Sequence, residues 1–188
     1  MTYKSHTALL DYLVSAMNPN STLPVLDLAC GKGRSGLILA RRGIEVVFAD
    51  RSASALNDIE QYLSDNSLPG QVWQVDLEQA DSKPLAGKVF RSIICFRYLY
   101  RPLFPEILSA VEPGGMIIYE TFTTENRRYG RPNNPDFLLK PGELAEIFND
   151  WQQIHYYEGL QQDPDRAIAQ VIARKKPIKA NEHGLASG

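Results

Sequence analysis

The chain has 188 residues, 44% of them hydrophobic, and a formal net charge of −2 at pH 7. That length suits one domain, which we expect to span residues 1–174. The charge argues against a general polyanion-binding surface but not against a local basic patch. Since no apolar run reaches membrane-spanning length and the N-terminus lacks a signal pattern, we expect a cytoplasmic protein without a membrane segment.

The cysteines and histidines do not form a disulfide or metal framework. Cys30 and Cys95 both lie in apolar surroundings, which is typical of reduced, buried thiols. His6, His155 and His183 are scattered without ligand spacing, so no metal site is predicted.

Strand and helix patterns alternate through the first half of the chain. Leucines at helical spacing predict a first helix within residues 2–17. The pattern then predicts, in chain order, a strand at 24–29, a helix at 34–42 followed by Gly43 as its left-handed cap, a strand at 44–49, a helix with Ser52 as its N-cap, and a strand at 71–75.

The second half continues the alternation and then changes character. It predicts a strand at 89–96, a helix at 103–111, a tight turn at 113–115 and a strand at 116–122. Residues 123–140 have no periodicity and are expected to form a functional or disordered loop. The chain then predicts a helix that starts at Pro141, two antiparallel strands at 151–158 and 166–174, and a flexible polar tail at 175–188.

A glycine-rich turn follows the first predicted strand. Gly31 and Gly33 allow a sharp bend and a close approach of the backbone to a ligand. Asp50 ends the next strand, where a carboxylate can accept hydrogen bonds from both hydroxyls of a ribose. The unit therefore predicts a site for a nucleoside-containing cofactor.

Two cofactors fit the glycines, because Gly31-x-Gly33-x-x-Gly36 also spells the dinucleotide fingerprint. Asp27 separates them, since a carboxylate inside the strand would repel a pyrophosphate and suits a cationic ligand such as S-adenosylmethionine. A nicotinamide or flavin enzyme is the disfavoured alternative.

The run Val-Leu-Asp-Leu-Ala-Cys-Gly-Lys-Gly at 25–33 resembles the first motif of class I S-adenosylmethionine-dependent methyltransferases. The resemblance extends to about Arg174 and implies a Rossmann-like α/β methyltransferase fold of three α/β/α layers. Its seven-stranded sheet would be mostly parallel, in the order 3-2-1-4-5-7-6, with a C-terminal antiparallel hairpin. The chain departs from the family at Arg91, where an acidic residue is common; we expect no effect on the fold.

The resemblance also implies the cofactor residues. Asp27 and the turn at Gly31 and Gly33 would hold the methionine part of S-adenosylmethionine, and Asp50 would hold the ribose. Asp76 and Leu77 would meet the adenine amino group. The complete expected set, with S-adenosylhomocysteine as the product, is Asp27, Ala29, Cys30, Gly31, Gly33, Asp50, Arg51, Asp76, Leu77, Phe96 and Arg97.

No catalytic acid or base is assigned, because methyl transfer from a sulfonium depends largely on alignment. Arginines and tyrosines follow the strands at 89–96 and 116–122, and guanidinium groups recognise anions. The candidate substrate residues are Arg97, Tyr98, Arg101, Tyr119, Glu120, Arg128 and Tyr129. The alternative is that several of these arginines, with Arg127 and Arg131, pair with Glu106, Glu120, Glu125 or Asp136 and only fix the loop.

The runs Tyr-Glu-Thr-Phe at 119–122, Gly-Arg-Pro-Asn-x-Pro-x-Phe-Leu-Leu at 130–139 and Pro-Gly-Glu-Leu at 141–144 resemble a small bacterial subgroup named tellurite-resistance-like. The resemblance implies a methyltransferase, and the arginines favour a small, anionic acceptor. Two alternatives stay open: a methyltransferase acting on tRNA or another nucleic acid, and a non-catalytic module that binds S-adenosylmethionine.

Overall fold

In the computed structural model, residues 1–177 are described; residues 178–188, most of the predicted tail, lie outside the described part. The helices are α1 (His6–Ala16), α2 (Arg34–Ala40), α3 (Ala53–Asp65), α4 (Phe104–Ala110) and α5 (Glu143–Ile147). The strands are β1 (Val25–Leu28), β2 (Val46–Asp50), β3 (Gln71–Gln74), β4 (Phe90–Phe96), β5 (Val111–Phe122), β6 (Gln152–Gln161) and β7 (Arg166–Arg174).

The seven strands form one sheet in the order β3-β2-β1-β4-β5-β7-β6. Strands β1 to β5 pair in parallel, whereas β7 is antiparallel to both β5 and β6. The expected fold class and strand order are therefore confirmed. The order reverses at β1, so the carboxyl ends of β1 and β4 flank the crevice where ligands bind in open α/β sheets.

Helices cover both faces of the sheet, and alternate strand residues feed two separate cores. Val46 and Phe48 of β2 pack with Leu10, Leu39 and Ile59 from helices α1, α2 and α3. Their strand neighbours pack on the opposite face, with α4 and α5; this second core contains Val47, Ala49, Phe104, Ile107, Leu144 and Phe148. Burial of both faces explains why the central strands are almost continuously apolar in sequence.

The predicted helix ends are largely those observed. Ser5 and Ser52 cap α1 and α3 by accepting hydrogen bonds from backbone N–H groups three residues on. Gly43 adopts a φ of +76° after α2, the left-handed conformation that favours glycine. Helix α5 begins at Glu143, two residues after Pro141, because Gly142 takes the left-handed N-cap position.

One predicted boundary in the second half differs from the structure. The expected turn at 113–115 is a bulge inside β5, where Phe90 pairs with Val111 and Ser92 with Met116. Strand β7 ends at Arg174, as predicted, but Lys175, the expected start of the tail, is still held against β5, because its N–H donates to the Gly115 carbonyl at 2.9 Å. Its ammonium group also donates to the carbonyl oxygens of Leu108 and Val111.

The aperiodic segment 123–140 has local structure. It contains two 3₁₀ helices, Thr124–Arg128 and Pro135–Phe137, and ends on Leu138 and Leu139, which are fully buried. Buried Asn126 ties the segment to β7, since its Oδ1 accepts the Ala167 N–H at 3.1 Å. The sequence lacks periodicity here because each 3₁₀ helix is too short to repeat a pattern.

Candidate functional site

The turn after β1 is built by backbone conformations that few side chains tolerate. Ala29, Gly31 and Gly33 all have positive φ, at 54°, 52° and 69°. A Cβ on Gly33 would lie 2.8 Å from Cδ1 of Ile59, whereas a Cβ on Gly31 would meet no atom within 4 Å. Gly33 is therefore required because a side chain there would clash with Ile59. Gly31 has room for a side chain, but its positive φ favours glycine.

Asp27 lies in β1, two residues before this turn. It is 3% exposed, and its Oδ2 accepts the Gly36 N–H at 2.8 Å. Burial raises the pKa of Asp27 to about 7; the Gly36 N–H opposes this shift, and the charge of Asp50 adds to it. The hydrogen bond from Gly36 ties β1 to α2. Asp27 lines none of the three cavities described below, and its contact with the cofactor stays a prediction.

Asp50 joins the turn to the end of β2. Its Oδ2 accepts the Gly31 N–H at 2.8 Å, and its Oδ1 accepts the Ser52 N–H at 2.9 Å. A carboxylate offers about four acceptor positions, so each oxygen retains one for a ligand.

Asp50 lines the first of three neighbouring cavities, which we call the acidic cavity. This cavity has a volume of about 150 Å³ and is lined by three carboxylates and one guanidinium. It brings together five of the expected cofactor residues, and its complete lining is Ala29, Asp50, Arg51, Val75, Asp76, Leu77, Glu78 and Tyr98.

The second cavity, the basic cavity, begins at Cys30 of the turn and has a volume of about 420 Å³. Its wall has four cationic side chains and a single carboxylate. It contains the expected Cys30, Phe96, Arg97 and Glu120 together with seven residues that the sequence reasoning missed: Tyr3, His6, Lys32, Arg34, Ser35, Gln161 and Arg166.

Three neighbouring side chains contact the Arg97 guanidinium in the wall of the basic cavity. Its Nη2 lies 2.9 Å from Oε1 of Glu120 and donates to Oε1 of Gln161 at 3.0 Å. Its guanidinium carbon lies 4.6 Å from the ring centre of Phe122. Nη1 is buried and has no hydrogen-bond partner among the described residues, which leaves its N–H groups for a ligand.

Glu120 and Gln170 connect Arg97 to the N-terminal segment. Glu120 is 4% exposed and accepts a hydrogen bond from Nε2 of the fully buried Gln170. The same Gln170 amide donates to the Lys4 carbonyl at 2.8 Å and accepts the Lys4 N–H at 3.1 Å. This pairing fixes the residue next to Tyr3, which lines the basic cavity.

His6 lies against the same cavity. Its Nε2 is 2.9 Å from Oγ of Ser35, and its ring centre is 4.1 Å from that of Phe96. Burial lowers the pKa of His6, and the charge of Arg97 acts in the same direction. His6 is therefore neutral at pH 7. Burial also raises the pKa of Cys30, which keeps that thiol protonated.

The third cavity, the aromatic cavity, has a volume of about 330 Å³. It shares Arg97 with the basic cavity, and Glu78 and Tyr98 with the acidic cavity. Its complete lining is Glu78, Arg97, Tyr98, Leu99, Thr121, Phe122, Pro132 and Phe137.

Comparison with known families identifies the chain. The family model described as "Tellurite resistance protein TehB" matches residues 2–166. The chain belongs to the TehB family. This confirms the resemblance drawn from the sequence and makes the protein an S-adenosylmethionine-dependent methyltransferase.

Several relatives of this TehB-family chain are similar at low identity. The ubiquinone biosynthesis O-methyltransferase of Rickettsia akari is 23% identical, over 82% of this chain and 70% of that protein. The probable S-adenosyl-L-methionine-dependent methyltransferase TehB of Haemophilus influenzae (strain 10810) is 24% identical, over 82% of this chain. This chain spans only 54% of that TehB protein.

Solved structures share the fold. The crystal structure of TehB from Haemophilus influenzae superposes with a TM-score of 0.72 at 22% identity, over 90% of this chain and 63% of that one. The N-methyltransferase NodS from Bradyrhizobium japonicum WM9 superposes with a TM-score of 0.69 at 15% identity, over 91% of this chain and 94% of that one.

The TehB-family chain places four of the candidate substrate residues away from the cavities. Arg101 makes a two-pronged ion pair with Glu143, at 2.6 and 2.8 Å, and donates to the carbonyl of Leu138. Arg128 is 73% exposed and pairs with Glu125, and Tyr129 is 43% exposed. Tyr119 is buried in the core. The candidate arginines therefore do not share one cavity. Arg97 and Arg128 pair with Glu120 and Glu125, as the alternative expected, and Arg101 fixes the loop through a carboxylate that the alternative did not name, Glu143.

Within residues 1–177, every helix is too short or too polar to cross a bilayer. The same residues contain no group of three or more His, Cys, Asp or Glu side chains placed to hold a metal ion.

Proposed function

We propose that this methyltransferase acts on a small acceptor whose negative charge is held by Arg97 and Arg166 in the basic cavity. The observation that carries the proposal is the composition of that wall, where four cationic side chains face one carboxylate. The carboxylate, Glu120, is already paired with Arg97. The remaining positive charge is therefore available to an anion.

The acidic cavity suits the nucleoside half of S-adenosylmethionine. The ribose hydroxyls and the adenine amino group are hydrogen-bond donors, and the free acceptor positions of Asp50 and Asp76 match them. Ala29 lines this cavity and Cys30 lines the basic cavity, so the turn separates the two. Lys32 and Ser35, next to the turn, would then hold the amino-acid half.

The bound cofactor supplies a methyl group on a positively charged sulfur, and an acceptor lone pair forms the new bond to carbon as the carbon–sulfur bond breaks. The chain contributes alignment of the acceptor, for which fixed side chains are needed. Arg97 meets this need, because Glu120, Gln161 and Phe122 fix its orientation. An acceptor that is already an anion needs no base to remove a proton before transfer.

The test is methyl transfer by the purified full-length chain with radiolabelled S-adenosylmethionine. The acceptor panel contains tellurite, small carboxylates and phenols, matched neutral amides, and total tRNA. We expect transfer to at least one small anion, and Arg166→Gln to raise the KM of that acceptor about tenfold while the Kd of S-adenosylhomocysteine changes little. Arg127→Gln is the matched control, because Arg127 is exposed and lines none of the three cavities.

Other outcomes contradict the proposal. Transfer to neutral acceptors alone would mean that the basic cavity does not bind the acceptor through a negative charge. Transfer to tRNA that is lost in Arg127→Gln would instead favour the nucleic-acid alternative, in which the exposed Arg127, Arg128 and Arg131 contact phosphates. Cofactor binding without transfer to any acceptor in the panel would favour a non-catalytic module.

A further inference from the structure

The aromatic cavity adjoins both parts of the proposed cofactor site. It shares Glu78 and Tyr98 with the acidic cavity and Arg97 with the basic cavity. In S-adenosylmethionine the reactive methyl lies on the sulfur that joins the nucleoside to the amino-acid half. A cavity that borders the sites of both halves is therefore positioned to receive the acceptor.

The wall of this cavity is largely apolar. Leu99, Phe122, Pro132 and Phe137 contribute apolar surface, and the ring of Tyr98 adds to it. Phe137 is 45% exposed, which makes it one of the few large apolar side chains left in contact with solvent among residues 1–177. Covering such surface with an apolar ligand is favourable, at roughly 25 cal/mol per Å².

Two buried polar atoms lie in the same wall without a hydrogen-bond partner among the described residues. They are Nη1 of Arg97 and Oη of Tyr98. Burial raises the pKa of Tyr98, and the carboxylate of Glu78 in the same wall adds to the shift, so the hydroxyl keeps its proton and can donate. Buried donors that lack partners are costly, and an anionic group that reaches them would accept their hydrogen bonds.

We infer that the methyl acceptor is an aromatic anion. Its ring occupies the aromatic cavity beside Tyr98, and its carboxylate or phenolate is held at Arg97, the residue that this cavity shares with the basic cavity, which Arg166 also lines. The inference rests on the proposed function and names its substrate class. A cavity of about 330 Å³ lies at the lower end of the usual range for organic ligands, and an inorganic oxyanion would leave its apolar wall uncovered.

The position of Phe137 is fixed by the structure around it. Phe137 ends a 3₁₀ helix and precedes Leu138 and Leu139, which are fully buried. Arg101 donates to the carbonyls of Asp136 and Leu138 on either side of it, at 2.9 Å each. The Phe137 ring therefore lies in a wall whose position is fixed, and Arg101 helps to shape the cavity.

The test is calorimetric titration of the full-length protein, saturated with S-adenosylhomocysteine, with benzoate and separately with acetate. Both probes carry one carboxylate, so the difference between them measures the ring. We expect benzoate to bind at least tenfold more tightly than acetate, and Phe137→Ser to remove most of that difference. Tyr129→Ser is the matched control, because Tyr129 is a similarly exposed aromatic residue in the same segment that lines none of the cavities.

The inference is overturned by equal affinity for the two anions, by no measurable binding of benzoate, or by a preference that survives Phe137→Ser. In each case transfer to tellurite or an aliphatic carboxylate in the activity assay leaves the proposed function standing. Failure of the proposed function is seen separately, as transfer to neutral acceptors, to tRNA or to nothing in the panel.

Discussion

Arg97 directly follows β4, Glu120 lies near the end of the neighbouring strand β5, and the two residues are joined twice. The Arg97 N–H donates to the Glu120 carbonyl at 2.7 Å, and the two side chains form an ion pair of 2.9 Å. The Arg97 backbone has a φ of +61°, an uncommon conformation outside glycine. The ion pair and the backbone bond together hold the guanidinium at the meeting point of the basic and aromatic cavities.

Breaking this pair leaves a buried carboxylate without its partner. We therefore expect Arg97→Met to lower the free energy of unfolding by about 2–4 kcal/mol, measured by urea denaturation. The double variant Arg97→Met/Glu120→Gln is the control, because the neutral amide no longer needs a cation, and most of the stability should return. An additive loss in the double variant would mean that the two side chains do not depend on each other.

Asp50 both supports the glycine turn and presents acceptor oxygens to the acidic cavity. Asp50→Ala should weaken the binding of S-adenosylhomocysteine by about 1.5–3 kcal/mol in calorimetry, because charged hydrogen bonds are lost. Asp58→Ala, which removes an exposed carboxylate from α3, should leave the affinity unchanged. Unchanged affinity in Asp50→Ala would remove that residue from the cofactor site.

Arg101 and Arg128 belong to the same expected cluster but have different surroundings. Arg101→Ala should lower the free energy of unfolding by about 1–2 kcal/mol, because it loses a two-pronged ion pair and two carbonyl contacts. Arg128→Ala should change it by less than about 0.5 kcal/mol, since its pair with Glu125 is exposed. If turnover falls in Arg128→Ala but not in Arg101→Ala, Arg128 contacts the substrate.

Asp27 makes stability depend on pH. Its pKa rises from the ordinary 3.8 to about 7 in the folded chain, so the folded state binds more protons than the unfolded state between these values. The contribution of Asp27 to stability is therefore fully present below pH about 4 and is lost as the pH rises through about 7. Relative to Asp27→Asn, the native protein should lose about 2–4 kcal/mol between pH 4 and pH 8. Parallel stability curves for the two proteins would contradict this pKa shift.

Gln170 holds the N-terminal segment against the sheet. Gln170→Leu removes both hydrogen bonds to Lys4, so the Lys4 amide should exchange its hydrogen at least tenfold faster. The β5 amides, which lie in the sheet core, should keep their protection and serve as the internal reference. Equal acceleration at both places would indicate general destabilisation of the fold and not release of the segment.

The elements of the fold could be predicted from the amino-acid sequence. Alternating apolar strands and capped helices predicted the strands and helices, and the resemblance to class I methyltransferases implied the order of the strands in the sheet. The elements are encoded locally, because strand burial, helix caps and positive φ angles depend on a few neighbouring residues. The carboxyl ends of parallel strands meet at one edge of a sheet, which is why Asp50, Asp76 and Arg97 could be predicted to lie near one another.

Which charged groups share a cavity depends on how distant parts of the chain pack together. Arg97 and Arg166 meet across β4 and β7, and Tyr3 and His6 come from the opposite end of the chain. The sequence makes Arg101 a substrate candidate, but in the structure its guanidinium pairs with Glu143. The long arginine side chain binds whichever carboxylate the fold places within its reach. Local sequence specifies the backbone, whereas pairing between distant side chains depends on distances that are set only once the sheet and the 123–140 segment have packed.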